Sequence, residues 1–184
     1  MALATTEELR RYLRHSDPWT PDEEATAQLL LDLATGAVED ECGQPLAEGT
    51  DTYLVDALGT RRLVLPRWPL TAVDQVLLTE TGDVLAEGDD FTWSRSGILY
   101  RRGTTWPCAP QAVDVTVTAG WNPVPDGPRG IVLRLAASAW DNAGGALSSE
   151  TLGDHSVSYA DPASAGIVLS DADRRALGRY GAPS

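Results

Sequence analysis

From Val113 to Ala119 apolar and polar positions alternate. Val113, Val115, Val117 and Ala119 fall on one side, Asp114, Thr116 and Thr118 on the other. A period of two predicts a strand with one buried face. Asn122, Pro123, Pro125, Asp126, Gly127 and Pro128 then interrupt it, because proline has no N–H to give a ladder and the others favour turns. From Pro128 the period lengthens to that of a helix: Ile131, Val132, Leu135, Ala136, Ala139 and Trp140 make a wide apolar stripe. Proline suits a first helical turn, and Gly144-Gly145 supplies a stop. The pattern predicts a helix over 128–143.

Two more helices are expected upstream. Thr5 with Glu8 fits a capping box and opens a helix over 5–14, with Leu9, Tyr12 and Leu13 on one face. Thr20-Pro21-Asp22-Glu23 repeats the start signal and opens a longer helix over 21–42, which stops at Gly43 and Pro45. Its apolar face is read as Ala25, Leu29, Leu33, Ala37 and Val38. Leu29 and Leu33 are expected to pack against Leu135 and Trp140 as the main core.

Residues 50–120 carry the texture of short strands and turns. Thr52–Val55 and Arg61–Leu65 flank a turn at Leu58-Gly59-Thr60. Val73–Thr79 and Val84-Leu85 flank Thr81-Gly82-Asp83. Phe91–Ser94 and Ile98–Tyr100 flank Arg95-Ser96-Gly97. All three read as hairpins. Pro66-Arg67-Trp68-Pro69 sends the chain across the sheet, and Trp106-Pro107-Cys108-Ala109-Pro110 leads into the strand at 113. Strands lying between sets of helices imply α+β, not a βαβ array. The expected organisation is a helical core with an inserted antiparallel hairpin region over 1–145, followed by an extended C-terminal arm over 146–184. The arm ends in a short helix capped by Ser170 and Asp173, and its few large apolar groups suit it to another surface.

Composition changes the picture in one respect. The formal charge of the 184 residues is −13, which disfavours tight binding of DNA or RNA by the surface as a whole. All 14 basic residues are arginine. The scarcity of lysine, isoleucine and asparagine reads as a high-GC genome, so arginine is weak evidence for phosphate recognition. The first residues lack an apolar signal region, and no run approaches about 18 apolar residues, so a soluble, unexported chain is expected. Cys42 and Cys108 stand far apart and read as two buried, reduced thiols.

No nucleotide-binding, zinc-protease, hydrolase or calcium-loop motif occurs. His15 and His155, the only two histidines, have no cysteine or carboxylate pair at ligand spacing. Glu39-Asp40-Glu41 and Asp89-Asp90 fit a helix end and a turn better than a cation site. The pairs Arg10-Arg11, Arg61-Arg62, Arg101-Arg102 and Arg174-Arg175 fit surface ion pairing. The six tryptophans read as core or interface plugs, unless several share one exposed face. No catalytic residue, metal or cofactor is expected.

The runs LPRWPLTAVDQV (65–76), DFTWSRSGILYRRG (90–103), VTVTAGWNPVPDGPRGIVLRLAASAW (115–140), SETLGDHSVSYA (149–160) and LSDADRRALGRYG (169–181) resemble the head-to-tail connector, or adaptor, proteins of long-tailed bacteriophages, most closely those of actinobacteriophages. These are packing and turn patterns that follow one another in the family's order over nearly the whole chain. The resemblance implies a structural, non-enzymatic virion protein made in the host bacterial cytoplasm. It implies a homo-oligomeric ring of twelve copies between the portal protein and the stopper or tail-completion ring, with double-stranded DNA passing through the lumen without sequence-specific binding. It also implies that the arm docks on the portal or on a neighbouring copy. Leu152, Val157, Tyr159, Leu169, Leu177 and Tyr180 are the groups large enough to anchor it. Other readings are a different ring of the same neck, a stopper or tail terminator, and a tryptophan-rich carbohydrate- or peptide-binding module.

Overall fold

The computed structural model describes residues 2–145 and 167–181. They form two compact units: one of 2–42 with 125–145 and 167–179, the other of 43–124 with 180–181. The fold is α+β, with helices in the first unit and antiparallel sheets in the second.

The first unit begins with α1 (Thr6–Tyr12). The Thr5 hydroxyl accepts from the Glu8 N–H at 3.2 Å, and the Glu8 carboxylate accepts from the Thr5 N–H at 2.8 Å, so two otherwise orphaned helix-end donors are satisfied. Thr20 and Glu23 repeat the arrangement at 3.3 and 2.8 Å to start α2 (Pro21–Cys42). Helix α3 (Asp126–Gly145) packs on both. It starts two residues before the expected Pro128, which still sits in the first turn, and it runs through Gly144 to Gly145. Arg129 ties its start to α1, bonding Asp126 at 2.5 Å and Glu8 at 3.3 Å.

The α2–α3 pairing is as expected, but the side chains that make it are not. Leu29 and Leu33 are 57% and 53% exposed. The buried face of α2 is Ala27, Leu31, Ala34, Thr35, Val38 and Cys42, and across from it α3 buries Val132, Leu135, Ala136 and Ala139. The run Leu29-Leu30-Leu31-Asp32-Leu33 puts leucine on every side of the helix, so periodicity alone cannot choose the inward face. Packing chooses the face with two alanines, which lets the helix axes approach closely. The Leu3 N–H also bonds the Thr35 hydroxyl there at 3.1 Å. Trp140 is half-buried against Trp19, with ring centroids 4.8 Å apart.

The second unit holds two three-stranded sheets. One has the order β1 (Gly49–Leu58), β6 (Cys108–Ala119), β3 (Leu70–Leu78). The other has the order β2 (Arg62–Val64), β5 (Ile98–Arg101), β4 (Phe91–Ser94). Val113, Val115, Val117 and Ala119 of the central strand are fully buried, as their alternation predicts. On the opposite face Thr116 and Thr118 bond Thr52 and Thr50 hydroxyl to hydroxyl at 2.9 and 2.8 Å. The β4–β5 hairpin forms where expected, with Gly97 at φ +79° giving the left-handed turn a side chain would resist. Leu77 and Val84 bridge around Gly82 as the second expected hairpin.

The first expected hairpin does not form. β1 pairs with β6, and β2 pairs with β5. The turn at Leu58-Gly59-Thr60 hands the chain from one sheet to the other instead, held by the Gly59 N–H on the Pro107 carbonyl at 2.9 Å. Leu63, Leu65, Leu70, Val76, Phe91, Leu99 and Trp106 fill the core of this unit with the valines of β6. At the end of β6 a Cβ on Gly120 would lie 2.6 Å from the Ala47 carbonyl oxygen, so only glycine fits there.

Candidate interaction surfaces

Several titratable groups that could suggest chemistry have ordinary structural partners. His15 stacks on Trp19 with centroids 4.8 Å apart, and its Nδ1 lies 2.9 Å from the Asp17 carbonyl. His155 falls outside the described residues. No group of three metal-ligating side chains gathers among the described residues. Of the acid clusters, Glu41 faces Arg174 at 3.7 Å. Asp90 accepts from the Ala86 N–H at 3.0 Å and pairs with Arg101 at 3.4 Å. Burial, then the charges of Glu41 and Glu39, push the Cys42 thiol up to about 11, so it stays protonated and inert. Cys108 departs from expectation: it is exposed, because it sits at the sheet end opposite Leu58.

None of the six tryptophans is fully exposed. Trp106 is buried and the other five are half-buried. Trp68 and Trp121 meet edge to face at 5.3 Å, and Tyr180 completes the trio at 5.4 Å from Trp121. Two donors take the carbonyls of the chain end: Gln44 Nε2 reaches the Tyr180 oxygen at 2.6 Å, and Trp68 Nε1 reaches the Gly181 oxygen at 2.5 Å. The Gln44 amide is fixed in turn by accepting from the Trp68 N–H at 2.9 Å. Burying a glutamine is unfavourable unless its amide is paired, and here both ends are.

The described part of the arm is thus engaged with its own chain. Helix α4 (Asp171–Leu177) opens with a capping box of Ser170 and Asp173, and a 3-10 turn (Gly178–Tyr180) follows. Leu177 is fully buried, with α4 packed on α2 and α3. Arg134 meets Asp173 at 2.6 Å. Burial works against the Asp173 carboxylate, yet its bonds to Ser170 and Arg134 outweigh that and hold its pKa below the ordinary value. Leu177 and Tyr180, expected as docking residues for a partner, therefore face their own chain. Leu169 is half-buried. Leu152, Val157 and Tyr159 lie outside the described residues.

Sequence reading passed over two residues that hold the second unit together. One is Gln44. The other is Arg67, 2% exposed, which pairs with Asp51 and donates to the Ala47 carbonyl at 2.6 Å and the Gly49 carbonyl at 3.4 Å. A guanidinium can satisfy several carbonyls at once from a rigid fork. The one visible signal was an arginine flanked by Pro66 and the Trp68-Pro69 pair, in a segment that extends no strand.

Exposed large apolar groups among the described residues include Leu29 and Leu33 on α2, Leu54 and Leu58 on β1, Val64 on β2 and Tyr100 on β5.

No protein-family model and no curated protein matches the sequence. Solved structures do match its fold. A chain in the neck of an empty gene transfer agent particle, computed with C6 symmetry, superposes with a TM-score of 0.65 at 19% identity, covering 99% of this chain and 91% of that one. A chain in the neck of the native particle, computed with C12 symmetry, gives 0.61 at 19% identity over 97% and 88%. One in the native virion gives 0.63 at 18% identity over 99% and 91%. The chain has, over nearly its whole length, the fold of proteins found in the necks of those particles.

Proposed function

We propose that the chain is a structural neck protein of a phage-like particle, a head-to-tail adaptor that forms a ring between the portal and the stopper or tail-completion ring. The observation that carries this reading is the fold shared with neck chains over 99% of this sequence. The order of connector-like runs in the sequence supports it independently. Those neck structures are computed with C6 and C12 symmetry, which supports a cyclic assembly, and twelve copies is the number proposed. No turnover is part of the role.

A chain of net charge −13 suits a channel wall. Acidic surface repels passing DNA over a screening length of about 8 Å at physiological salt, so DNA slides without sticking. Docking of the arm on the portal is proposed for Leu152, Val157, Tyr159 and Leu169. Repetition around a ring lets individually weak contacts hold firmly.

The test is genetic and structural. Removing the gene from its particle should leave DNA-filled heads without tails, or heads that leak, and the purified chain should bind purified portal rings. Tailed, infectious particles formed without the chain would overturn the reading.

A further inference from the structure

Helix α2 has two apolar faces, and among the described residues only one is buried. On the outer face Leu29 and Leu33 are more than half exposed and lie one turn apart. Asp32 stands beside them on the same side, and Asp22 and Asp40 lie in line at the two ends, all three exposed. Nothing lies within 4 Å of a Cβ placed on Gly36, so the middle of this face is open to close approach. The helix contains seven acids and no basic residue. From Asp22 to Asp40 the face runs about 27 Å at 1.5 Å per residue.

The outer face of the β2–β5–β4 sheet is its counterpart. Leu63 and Leu99 point inward, whereas Val64 and Tyr100 are exposed and Ile98 is half-exposed. Arg62 stands opposite Tyr100 in the register, and Arg102 follows on the same side of β5. Among the described residues Arg62 has no ion-pair partner, and the Arg102 guanidinium donates to the Gly88 carbonyl. Three strands spaced about 4.8 Å apart span about 10 Å, the width of one helix. One face is apolar with acidic ends, the other apolar with basic flanks.

We propose that the outer face of α2 docks on the β2–β5–β4 face of a second copy of this chain. The occupant is a second copy because the two faces complement each other in sign. In a chain of net charge −13, copies repel except where an arginine-bearing face meets an acidic one. Two different faces on one chain make a head-to-tail contact, the kind that closes into rings. Leu29 and Leu33 form its apolar centre, and the charges set register and choice of partner. The inference rests on the ring reading above and names the contact that builds the ring.

The test is a charge exchange in the full chain. One variant carries Asp32→Arg and Asp40→Arg, the other Arg62→Glu and Arg102→Glu, and circular dichroism checks that both remain folded. Sedimentation is then run across a concentration series. Wild type should self-associate, and each variant alone should do so at least about tenfold more weakly, since like charges then face each other. An equal mixture of the two variants should recover association, because each then offers what the other needs. A chain carrying all four substitutions should recover it as well. Wild type that stays monomeric at every concentration, or variants that associate as well as wild type, would overturn the proposal. So would a mixture that recovers nothing. Particle necks separate this from the broader reading. Both variants entering necks at wild-type copy number would leave the ring reading standing and sink this interface, whereas absence of wild type from necks would sink the ring reading itself.

Discussion

Leu31→Ala and Leu29→Ala place the same chemical change two residues apart on one helix, and the structure gives them opposite consequences. Leu31 is fully buried and Leu29 is 57% exposed. Truncating a buried leucine loses its transfer free energy and leaves a cavity, a cost of about 2–5 kcal/mol. Two buried alanines on the same face, Ala27 and Ala34, leave little side chain able to move into the gap, which favours the upper half of that range. Leu29→Ala removes surface that is mostly wet already, and alanine is the better helix former, so its effect should stay within about 0.5 kcal/mol. All helices among the described residues belong to the first unit, so the far-UV signal at 222 nm during urea unfolding reports on it. With a slope of about 2 kcal/mol per molar urea, the Leu31→Ala midpoint should fall by about 1–2.5 M while that of Leu29→Ala hardly moves. Equal losses from the two variants, or a larger loss from Leu29→Ala, would mean that α2 presents its other face to α3.

Further outcomes follow from particular side chains. Leu135→Ala should cost about 2–5 kcal/mol in the same unfolding assay, because Leu135 is buried in α3. Arg67→Ala should cost about 1–3 kcal/mol by tryptophan-monitored unfolding, since it strands the Ala47 and Gly49 carbonyls it serves. A colorimetric thiol reagent should titrate one cysteine per native chain, the exposed Cys108, and two in denaturant, when Cys42 is released. Glu7 is held down to about 2 from 4.5, first by its bond to Arg10, with partial desolvation opposing and Arg11 assisting. A depressed carboxyl stabilises the fold above its unfolded pKa and loses that contribution as pH falls through the folded one. Its share should therefore disappear between about pH 4.5 and 2, and an NMR titration of Arg10→Ala should show the Glu7 pKa moving back up.

Much of the architecture could be read from the chain because local chemistry and tertiary context agree. The capping boxes at Thr5 and Ser170, the alternation of 113–119 and the glycine at 97 each need little beyond a few neighbouring residues. Reading failed where the decision is non-local. Which leucine of 29–33 faces inward depends on α3, about a hundred residues away. Whether β1 turns back on β2 depends on a competing strand, and β6 wins because its valine-rich length offers a longer ladder than the three residues of β2. The positions of Leu177 and Tyr180 depend on grooves made by distant segments. A short amphipathic helix looks the same in sequence whether it docks at home or elsewhere. Gln44 and Arg67 were hidden for a related reason: a polar side chain gives no sign that backbone carbonyls will gather around it.

The strand order of the second unit constrains how the protein can be made. β6 is the centre of its sheet, yet it is the last of the six described strands to leave the ribosome, and it supplies the full-length ladder for both β1 and β3. Until about residue 119 has emerged, the edges of both that will face β6 stay unpaired, and such edges are templates for wrong association. The first unit waits longer still, because α2 buries its inner face against α3, encoded beyond residue 125. In sequence, the second unit lies between the two halves of the first. Nascent fragments ending before the middle of α3 have no way to complete the core of the first unit, so synthesis to that point keeps its apolar surface exposed. Long sequence separation between partners also slows folding. Translation rate and chaperone supply should therefore bear on folding yield alongside final stability.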